Sequence, residues 1–575
     1  MNATTEDAAG PGGLALGVRS LTIERAWLGS SVVRALPALG LAVLVTANGW
    51  AGLQPGVAFW DTGEFQVIAP VLGTGHAPGF PTYVLVGFIA NLLLTPIGEP
   101  AYRMNALSLL AIAAAAAFLM VTARRLGVPA LVAAVAGFAM ATAGVVWFQA
   151  TRAEPHTMHL AFVGLLLLLL VEWGRRRRLE LGDEPDGFAT GDAIGAGGPG
   201  AGARRTADRW LVVAAVVFGL SAGNHGLTFL LAPPIVLYVL AVDPGTFLRP
   251  RLVLACAVAS VGTLAAVYLE LPIRAGVLPA PVVYGRPDTW DGFWYVVLAT
   301  QFHGLLGDPL ADLPGKLRDL VDVTVAQFGV LAVLIPVGFA ATIRIAPRFA
   351  VLSGSAMAIT LFWNSFFQDG YIDRYYLGPV FWAWLWLAIL GAFVVERALD
   401  LLDAGPSVDR WSAARRSAVR PLVAAVVAVG LLLPGFADWS VKAAAADRRG
   451  DTAAARWLDE VLPAMAPDAI VVSWWSTSTP LWYAQHVEGR RTDVFVVDDR
   501  TMLDLELGRA PDVLDACLGV RPVYALRANQ GDLQELLGQF DMTLVASGGS
   551  LGLYEVHART VGQASGPGRC PPPSS

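Results

Sequence analysis

Long apolar runs dominate this chain of 575 residues and limit what it can fold into. Several stretches of about 17–25 apolar residues are long enough to cross a bilayer as helices. Charged residues make up only 15% of the sequence, a share too low for a soluble globular protein. The net charge of −6 argues against a nucleic-acid partner. The sequence therefore predicts a polytopic α-helical membrane protein.

Basic residues give the predicted orientation, because lysine and arginine near membrane segments favour the cytoplasmic side. If every basic cluster is cytoplasmic, an even number of crossings must separate neighbouring clusters. Between Arg34 and Arg124 this condition selects 35–51 and 104–123 as spans. It makes the proline-flanked stretch 82–97 an interfacial or re-entrant helix on the outer face. The other predicted crossings, which bring the total to eleven, are 128–147, 157–173, two short spans within 210–241, 251–272, 319–342, 349–366, 376–396 and 419–436.

An odd number of crossings places the two ends of the chain on opposite sides of the cell membrane. The predicted parts are a cytoplasmic N-terminal segment without a removable signal peptide (1–30), a membrane domain (31–436) with a flexible cytoplasmic loop (174–209), an extracytoplasmic domain (437–560) and a disordered tail (561–575).

The extracytoplasmic domain is predicted to be a small α/β fold, because short strand patterns alternate with helical ones. Cys517 and Cys570 could form a disulfide there if the compartment is oxidising. Cys256 lies within an apolar run and is predicted to be a packing residue. The predicted elements are helices at 452–464 and 531–540 and strands at 469–472, 494–497, 523–526 and 542–546.

Two carboxylates, Asp61 and Glu64, follow the first span within the sequence WDTGEF. Their spacing places both on one face if the segment is helical. One could act as a general base while the other orients it or binds a substrate hydroxyl. The alternative is a helix-capping or solvated pair, but the flanking Trp60 and Phe65 favour a loop packed against the bilayer.

Ten further polar residues fall at the outer ends of spans or in outer loops under this topology. Polar groups at membrane depth usually face a cavity or a partner. Because these residues collect on one side of the membrane, we predict one outward-facing cavity. Simpler roles remain open for some: a solvated turn for Glu154 and His156, helix-end bonding at Asn224-His225, and an ion pair between Asp373 and Arg374. The predicted substrate-binding residues are His76, Arg152, Glu154, His156, Asn224, His225, Arg274, Tyr284, Asp373 and Arg374. No metal-ligand spacing is visible in the sequence.

Several separated motifs between residues 30 and 400 resemble one family in the expected order. The chain is similar to the GT-C superfamily of membrane glycosyltransferases, and more closely to the family of domain of unknown function 2723, which includes transmembrane protein 260-like protein O-mannosyltransferases. The motifs are WDTGEF, GTGHAPGFPTY, the turn 149–156, GLSAGNHGLT, YLELPIRA, YGRPDTWDGFW and YIDRYYLGP.

The resemblance implies inverting transfer of a sugar, with mannose expected, from a polyprenyl-phosphate donor in the bilayer to a hydroxyl of an acceptor protein or glycan. It implies Asp61 as the base with Glu64 assisting, although which carboxylate takes the proton stays open. Arg274 and Arg374 are expected to neutralise the phosphate, and His76, Glu154 and His156 to bind hydroxyls. No cofactor is expected, and the role of a divalent metal is left open.

Two other functions are compatible with parts of the pattern. An outward-facing polar cavity could serve a transporter or lipid flippase, but the polar groups cluster on one side rather than at mid-membrane. A non-catalytic scaffold that binds a partner through its outer domain would leave the acidic pair without a role.

Overall fold

The computed structural model describes residues 35–188, 204–403, 413–527, 530–548, 551–559 and 570–571. A large helical part is followed by a small domain built on a five-stranded sheet. The predicted N-terminal segment 1–30 lies outside the described residues, as does most of the predicted tail 561–575. The combination of a helical membrane protein with a small C-terminal α/β domain agrees with the prediction.

Proline begins many of the helices, as its fixed φ allows at a first turn. The helices of the membrane part are α1 (Ala35–Trp50), α2 (Trp60–Val71), α3 (Pro81–Leu93), α4 (Pro100–Arg125), α5 (Ala130–Ala141), α6 (Gly144–Ala150), α7 (Pro155–Leu181), α8 (Arg204–Asn224), α9 (Ala232–Val242), α10 (Pro250–Tyr268), α11 (Glu270–Pro272), α12 (Trp290–Val297), α13 (Leu313–Phe328), α14 (Ile335–Ile345), α15 (Pro347–Asn364), α16 (Leu377–Asp403), α17 (Ala413–Ala437) and α18 (Trp439–Ala446).

Six helical segments of the described chain are long and apolar enough to cross a membrane, and a seventh results if α5 and α6, bent by 68°, form one span. Helices α4, α7 and α16 form the buried centre, where alanines of α4 allow close approach of neighbouring helices. The spans 250–277, 313–345 and 415–437 bury only 11%, 11% and 17% of their apolar windows, as lipid-facing helices do. The count of eleven crossings and the interfacial position of α3 stay predictions.

Three of the basic clusters that the topology rule grouped together meet in the structure, because Arg125 and Arg175 share Glu172, and Arg177 and Arg249 share Asp243. Arg177 of α7 contacts Asp243 after α9 at 2.8 Å, and Arg348 of α15 contacts Asp186 at 2.6 Å. These ion pairs join helices that are far apart in sequence. The clusters joined by these contacts lie together as predicted, and the side of the membrane that they face stays a prediction.

The predicted flexible loop 174–209 is shorter than expected. Helix α7 continues to Leu181, and α8 already begins at Arg204. Glu172 binds Arg175 at 3.2 Å and Arg176 at 2.6 Å, which are spacings that support another helical turn. Residues 189–203 lie outside the described residues.

The sheet of the C-terminal domain (residues 453–558), which is named the outer domain here for its predicted location, has the order β2-β1-β3-β5-β4. Strands β1–β3 are parallel neighbours, whereas β5 runs antiparallel to β3 and β4. The sequence missed β5, whose residues alternate in the strand manner but follow the last predicted element. The elements are α19 (Ala453–Ala464), β1 (Ile470–Val472), α20 (Trp475–His486), β2 (Phe495–Val497), α21 (Asp499–Asp504), α22 (Ala510–Cys517), β3 (Val523–Arg527), α23 (Gln530–Gln539), β4 (Phe540–Gly548) and β5 (Leu551–Ala558).

Cys517 and Cys570 form a disulfide bond, with their Cα atoms 4.9 Å apart. Cys570 falls within the predicted disordered tail, so this point of the tail is held against the domain. A structural disulfide is typical of an oxidising compartment. Cys256 is a free cysteine among partly buried apolar residues, as predicted.

The outer domain packs directly on helix α2 of the membrane part. One hydrophobic cluster contains Phe65 of α2 and Tyr83 of α3 together with Trp457 and Leu481 of the outer domain. Gly63 makes the approach of α20 possible, since a Cβ atom there would lie 2.7 Å from Oγ1 of Thr479. The two parts of the chain therefore share a core at this point.

Candidate active site

Helix α2 carries both acidic residues into the space between the membrane part and the outer domain. Its first residue, Trp60, has a φ of 62°, a left-handed conformation that is costly for a bulky side chain. Asp61 follows at the open end of the helix with 24% of its side chain exposed, whereas Glu64, one turn further on, is 1% exposed. The two carboxylates thus differ in their access to a substrate.

Asp61 forms an ion pair with Arg374, a residue more than three hundred positions away. Nη1 of Arg374 lies 2.6 Å from Oδ2 of Asp61, and its Nη2 lies 3.0 Å from Oδ2 of Asp369. The alternative pairing of Arg374 with Asp373 is not what the structure shows, because Arg374 binds Asp61 and Asp369 while Asp373 is exposed. A guanidinium between two carboxylates is held rigidly and keeps its charge.

Glu64 is bound to His76 and is therefore engaged within the protein. It accepts a hydrogen bond from the backbone N–H of His76 at 2.8 Å and a second from Nδ1 of the same residue. Burial alone lowers the pKa of His76, but the neighbouring carboxylate of Glu64 more than compensates, and the pKa is raised above 6.5. The pair positions the loop that follows α2.

Replacing Glu64 by Ala is expected to destabilise the folded protein by about 3 kcal/mol, because it leaves a buried imidazolium without its partner. The raised pKa of His76 means that the folded state binds this proton more tightly than the unfolded chain. The stabilisation is therefore complete below pH 6.5 and is lost as the pH rises through the raised pKa. Thermal unfolding across this pH range, followed by tryptophan fluorescence, measures both effects; an equal loss at every pH would contradict the ion-pair role.

Glu154 and His156 lie in a buried turn, not in a solvated one. The Glu154 side chain caps α7 by accepting from the His156 N–H at 3.3 Å, and it binds His156 Nδ1 at 2.7 Å. Burial alone would raise the pKa of Glu154, but His156, Arg374 and Arg152 lower it to about 2. Nε2 of His156 is buried without a hydrogen-bond partner among the residues described. This nitrogen is available to a ligand.

A largely apolar cavity of about 430 Å³ lies beside these groups. Its polar end contains Asp61, Glu154, His156, His225 and Arg374. His76, His303 and Asp369 also line it, and the remaining lining comes from apolar and aromatic side chains, among them Phe80, Tyr268, Phe302, Trp363 and Phe367. Such a cavity suits a ligand with an anionic head and a hydrocarbon tail.

A second, polar cavity of about 240 Å³ lies on the other side of Asp61. Arg152 lines it and is held by two hydrogen bonds to Oε1 of Gln149, at 3.1 and 2.9 Å. Arg448 and Asp451, which precede α19, contribute from the outer domain. Because Asp61, Glu154 and Arg374 line both cavities, the two spaces meet at these three side chains.

Four predicted substrate-binding residues lie outside the two cavities. Arg274 donates to the carbonyls of Val71 and Leu72 at 3.3 and 2.8 Å, so it caps the end of α2. Nδ2 of Asn224 donates to the carbonyl of Pro155 at 3.1 Å, which fits the helix-end alternative. The others are Asp373, which is exposed, and Tyr284, whose hydroxyl binds Gln301.

Sequence reasoning missed Asp369 and Arg448, since neither stands in a recognisable pattern. The ring of Trp475 lies 5.3 Å from that of His76, at the interface of the two parts. The Tyr375 ring, 5.1 Å from that of His156, was also missed although it lies within YIDRYY. Within the described ranges no group of three or more His, Cys, Asp or Glu side chains is arranged to hold a metal ion.

Comparison with known proteins confirms the resemblance that the motifs indicated. Residues 61–245 match the family model of the protein O-mannosyl-transferase TMEM260 N-terminal domain. The curated TMEM260 protein O-mannosyl-transferase of Mus musculus is 34% identical over 113 residues, which are 20% of this chain and 16% of the mouse protein. The chain thus matches a small fraction of that relative's length.

The fold extends the likeness over nearly the whole chain. The crystal structure of ArnT from Cupriavidus metallidurans bound to undecaprenyl phosphate aligns with a TM-score of 0.55 and 16% identity, covering 92% of this chain and 98% of ArnT. The apo form of ArnT aligns with a TM-score of 0.53 at 15% identity, with the same coverage. The chain therefore has the fold of ArnT.

Proposed function

We propose that this chain, which is similar to the TMEM260 N-terminal domain over residues 61–245, is an inverting glycosyltransferase. It moves a sugar from a polyprenyl-phosphate donor to an acceptor hydroxyl at the extracytoplasmic face of the cell membrane. The observation that carries the proposal is the meeting of an apolar and a polar cavity at Asp61 and Arg374. A lipid-linked donor and a water-soluble acceptor need such a junction.

The apolar cavity suits the donor. Its aromatic wall accommodates the prenyl chain, and Arg374 and the free Nε2 of His156 lie where the phosphate enters. The guanidinium of Arg374 can donate hydrogen bonds to phosphate oxygens, and Nε2 of His156 can do so in the imidazolium form, since its Nδ1 binds Glu154. ArnT, which shares the fold, has been crystallised with undecaprenyl phosphate.

The polar cavity suits the acceptor, whose hydroxyl would approach Asp61 from the side of Arg152. Asp61 takes the hydroxyl proton while the oxygen attacks the anomeric carbon from the face opposite the phosphate. The bond from that carbon to the phosphate oxygen breaks, and its electron pair leaves with the phosphate. A single displacement inverts the anomeric configuration. Arg374 stabilises the negative charge that develops on the leaving group.

The structure favours Asp61 over Glu64 as the base. Asp61 lines both cavities, whereas Glu64 is buried and bound to His76. Glu64 then assists by fixing the loop beside the donor. Mannose as the sugar and serine or threonine of a protein as the acceptor are suggested by the name of the mouse relative.

We place the basic end of the helical part in the cytoplasm on the positive-inside rule, with the N-terminus, and the outer domain outside. The Cys517–Cys570 disulfide supports this orientation, because such bonds persist outside the reducing cytoplasm.

Purified protein in liposomes should be incubated with a panel of polyprenyl-phosphate sugars and a serine-containing acceptor, with mass spectrometry of the acceptor. We expect a hexose mass on the acceptor with the mannosyl donor and an inverted anomeric linkage. Movement of the donor lipid across the bilayer without any transfer would instead indicate a flippase and refute the proposal.

A further inference from the structure

A third cavity, of about 800 Å³, lies between the outer domain and the segment that follows α11. One wall consists of residues 280–288, and the opposite wall of α20, β2 and α21. Asp61 and Arg374 do not contribute to it. Glu64 does, and Glu64 binds His76, which lines the apolar cavity. The third cavity is therefore next to the reaction site but distinct from it.

Strand β2, which lines this cavity, is an edge strand of the sheet. Its hydrogen bonds to the β1 side run from the N–H of Phe495 to Ala469 at 2.9 Å and from the N–H of Ser473 to Val497 at 2.8 Å. Backbone groups alternate in direction along a strand, so the N–H and C=O of Val496 point to the free edge. A free edge of this kind is a template for pairing with another extended chain.

The charged groups around the cavity are paired, with one exception. Arg500 forms an ion pair with Asp504, and Arg286 lies 3.9 Å from Asp288. Oδ1 of Asp498 accepts from the N–H of Thr501 at 2.7 Å. Oδ2 of Asp498 is buried and has no hydrogen-bond partner in the described part of the chain.

An unpartnered buried carboxylate oxygen requires an N–H or O–H donor, since leaving it alone is costly. Asp498 immediately follows β2, and both it and Val496 line this cavity. Together they offer a backbone donor, a backbone acceptor and a carboxylate to one ligand. An extended peptide with a basic or hydroxyl-bearing side chain has complementary groups at that spacing, whereas a sugar has no backbone to pair with a strand edge.

We propose that this cavity binds an extended polypeptide segment by addition to the free edge of β2, with Asp498 receiving a lysine, arginine or hydroxyl side chain. It is a docking site for the acceptor polypeptide, separate from the cavity where the hydroxyl reacts. The idea rests on the proposed function in naming the ligand as the acceptor, but the binding itself does not depend on catalysis.

Binding of a fluorescently labelled, unstructured peptide that contains serine and lysine, measured by anisotropy on the full-length protein in detergent, tests the site directly. Asp498→Asn keeps the size and the Oδ1 acceptor but removes the charge, and Ala280→Trp fills the cavity from the opposite wall. We expect each to weaken binding about tenfold or more. Asp459→Asn, at an exposed surface carboxylate of α19, is the matched control and should bind as the unaltered protein does.

Two results would overturn the proposal: no binding by the unaltered protein, or full binding by both variants. Melting temperatures show whether Asp498→Asn has lost its fold, and Ala280→Trp then decides independently. Asp61→Asn should bind the peptide normally, because Asp61 does not line this cavity. Peptide binding by the unaltered protein without any sugar transfer would refute the proposed function and leave the docking site standing. With transfer established, the two cavity variants should raise KM for a polypeptide acceptor while kcat is retained; an unchanged KM would refute the docking role.

Discussion

Replacing Asp61 by Asn is expected to lower kcat for sugar transfer about a thousandfold, the size of a typical general-base contribution. Asparagine has nearly the same shape and can still accept a hydrogen bond from Arg374, but it cannot take the proton of the acceptor hydroxyl. Donor binding should persist, because the phosphate contacts come from Arg374 and His156. Single-turnover transfer and equilibrium binding of the donor lipid measure the two effects separately.

Asp319→Asn, at an exposed carboxylate of α13, is the control for the chemical change itself. Glu64→Gln tests the division of labour between the two acidic residues, and it should retain far more turnover than Asp61→Asn. The reverse order of the two activities would transfer the role of base to Glu64. Normal turnover by Asp61→Asn would remove this residue from the mechanism.

Replacing Arg374 by Gln is expected to reduce kcat/KM about a hundredfold or more. Its guanidinium stands between Asp61 and Asp369, at 2.6 and 3.0 Å. Without it, these carboxylates and Glu154 would repel the donor phosphate, and nothing would stabilise the departing charge. The kcat/KM of Arg374→Lys should lie between those of the unaltered enzyme and Arg374→Gln. Lysine keeps the positive charge, but a single ammonium cannot hold both carboxylates in the same planar arrangement.

Both steady-state kinetics and binding of polyprenyl phosphate check this result. Arg449→Gln, at a guanidinium whose side chain is 72% exposed, is the control and should behave as the unaltered enzyme. Unchanged phosphate binding by Arg374→Gln would place the leaving group elsewhere in the cavity.

Local patterns predicted the elements of the fold better than their arrangement. Apolar runs located most of the helices, and strand patterns found four of the five strands that the structure describes. The hairpin partner β5 was missed because it follows the last predicted element. The end of α7 was missed because the arginines after Glu172 look like a charged loop, whereas their ion pairs extend the helix.

The candidate site was predictable where its residues stand in short motifs. Asp61, Glu154, His156 and His225 are such residues, and all four line the apolar cavity. The partner of Arg374 was not predictable, because the choice between Asp373, its neighbour, and Asp61, 313 positions away, depends on tertiary packing. For Arg274 the sequence was misleading. Its positive charge suggested that it binds a phosphate, whereas in the structure it donates to a carbonyl at the end of α2.

The core that joins Phe65 to Trp457 has a consequence for how such a protein can be divided or altered. Cutting the chain after α17 would expose a hydrophobic surface on each fragment. Both the isolated outer domain and the isolated membrane part are therefore expected to aggregate. Substitutions in the outer domain are expected to be tolerated only where they preserve the face that packs on α2. The candidate site lies at the junction of the two parts, so its geometry depends on both of them.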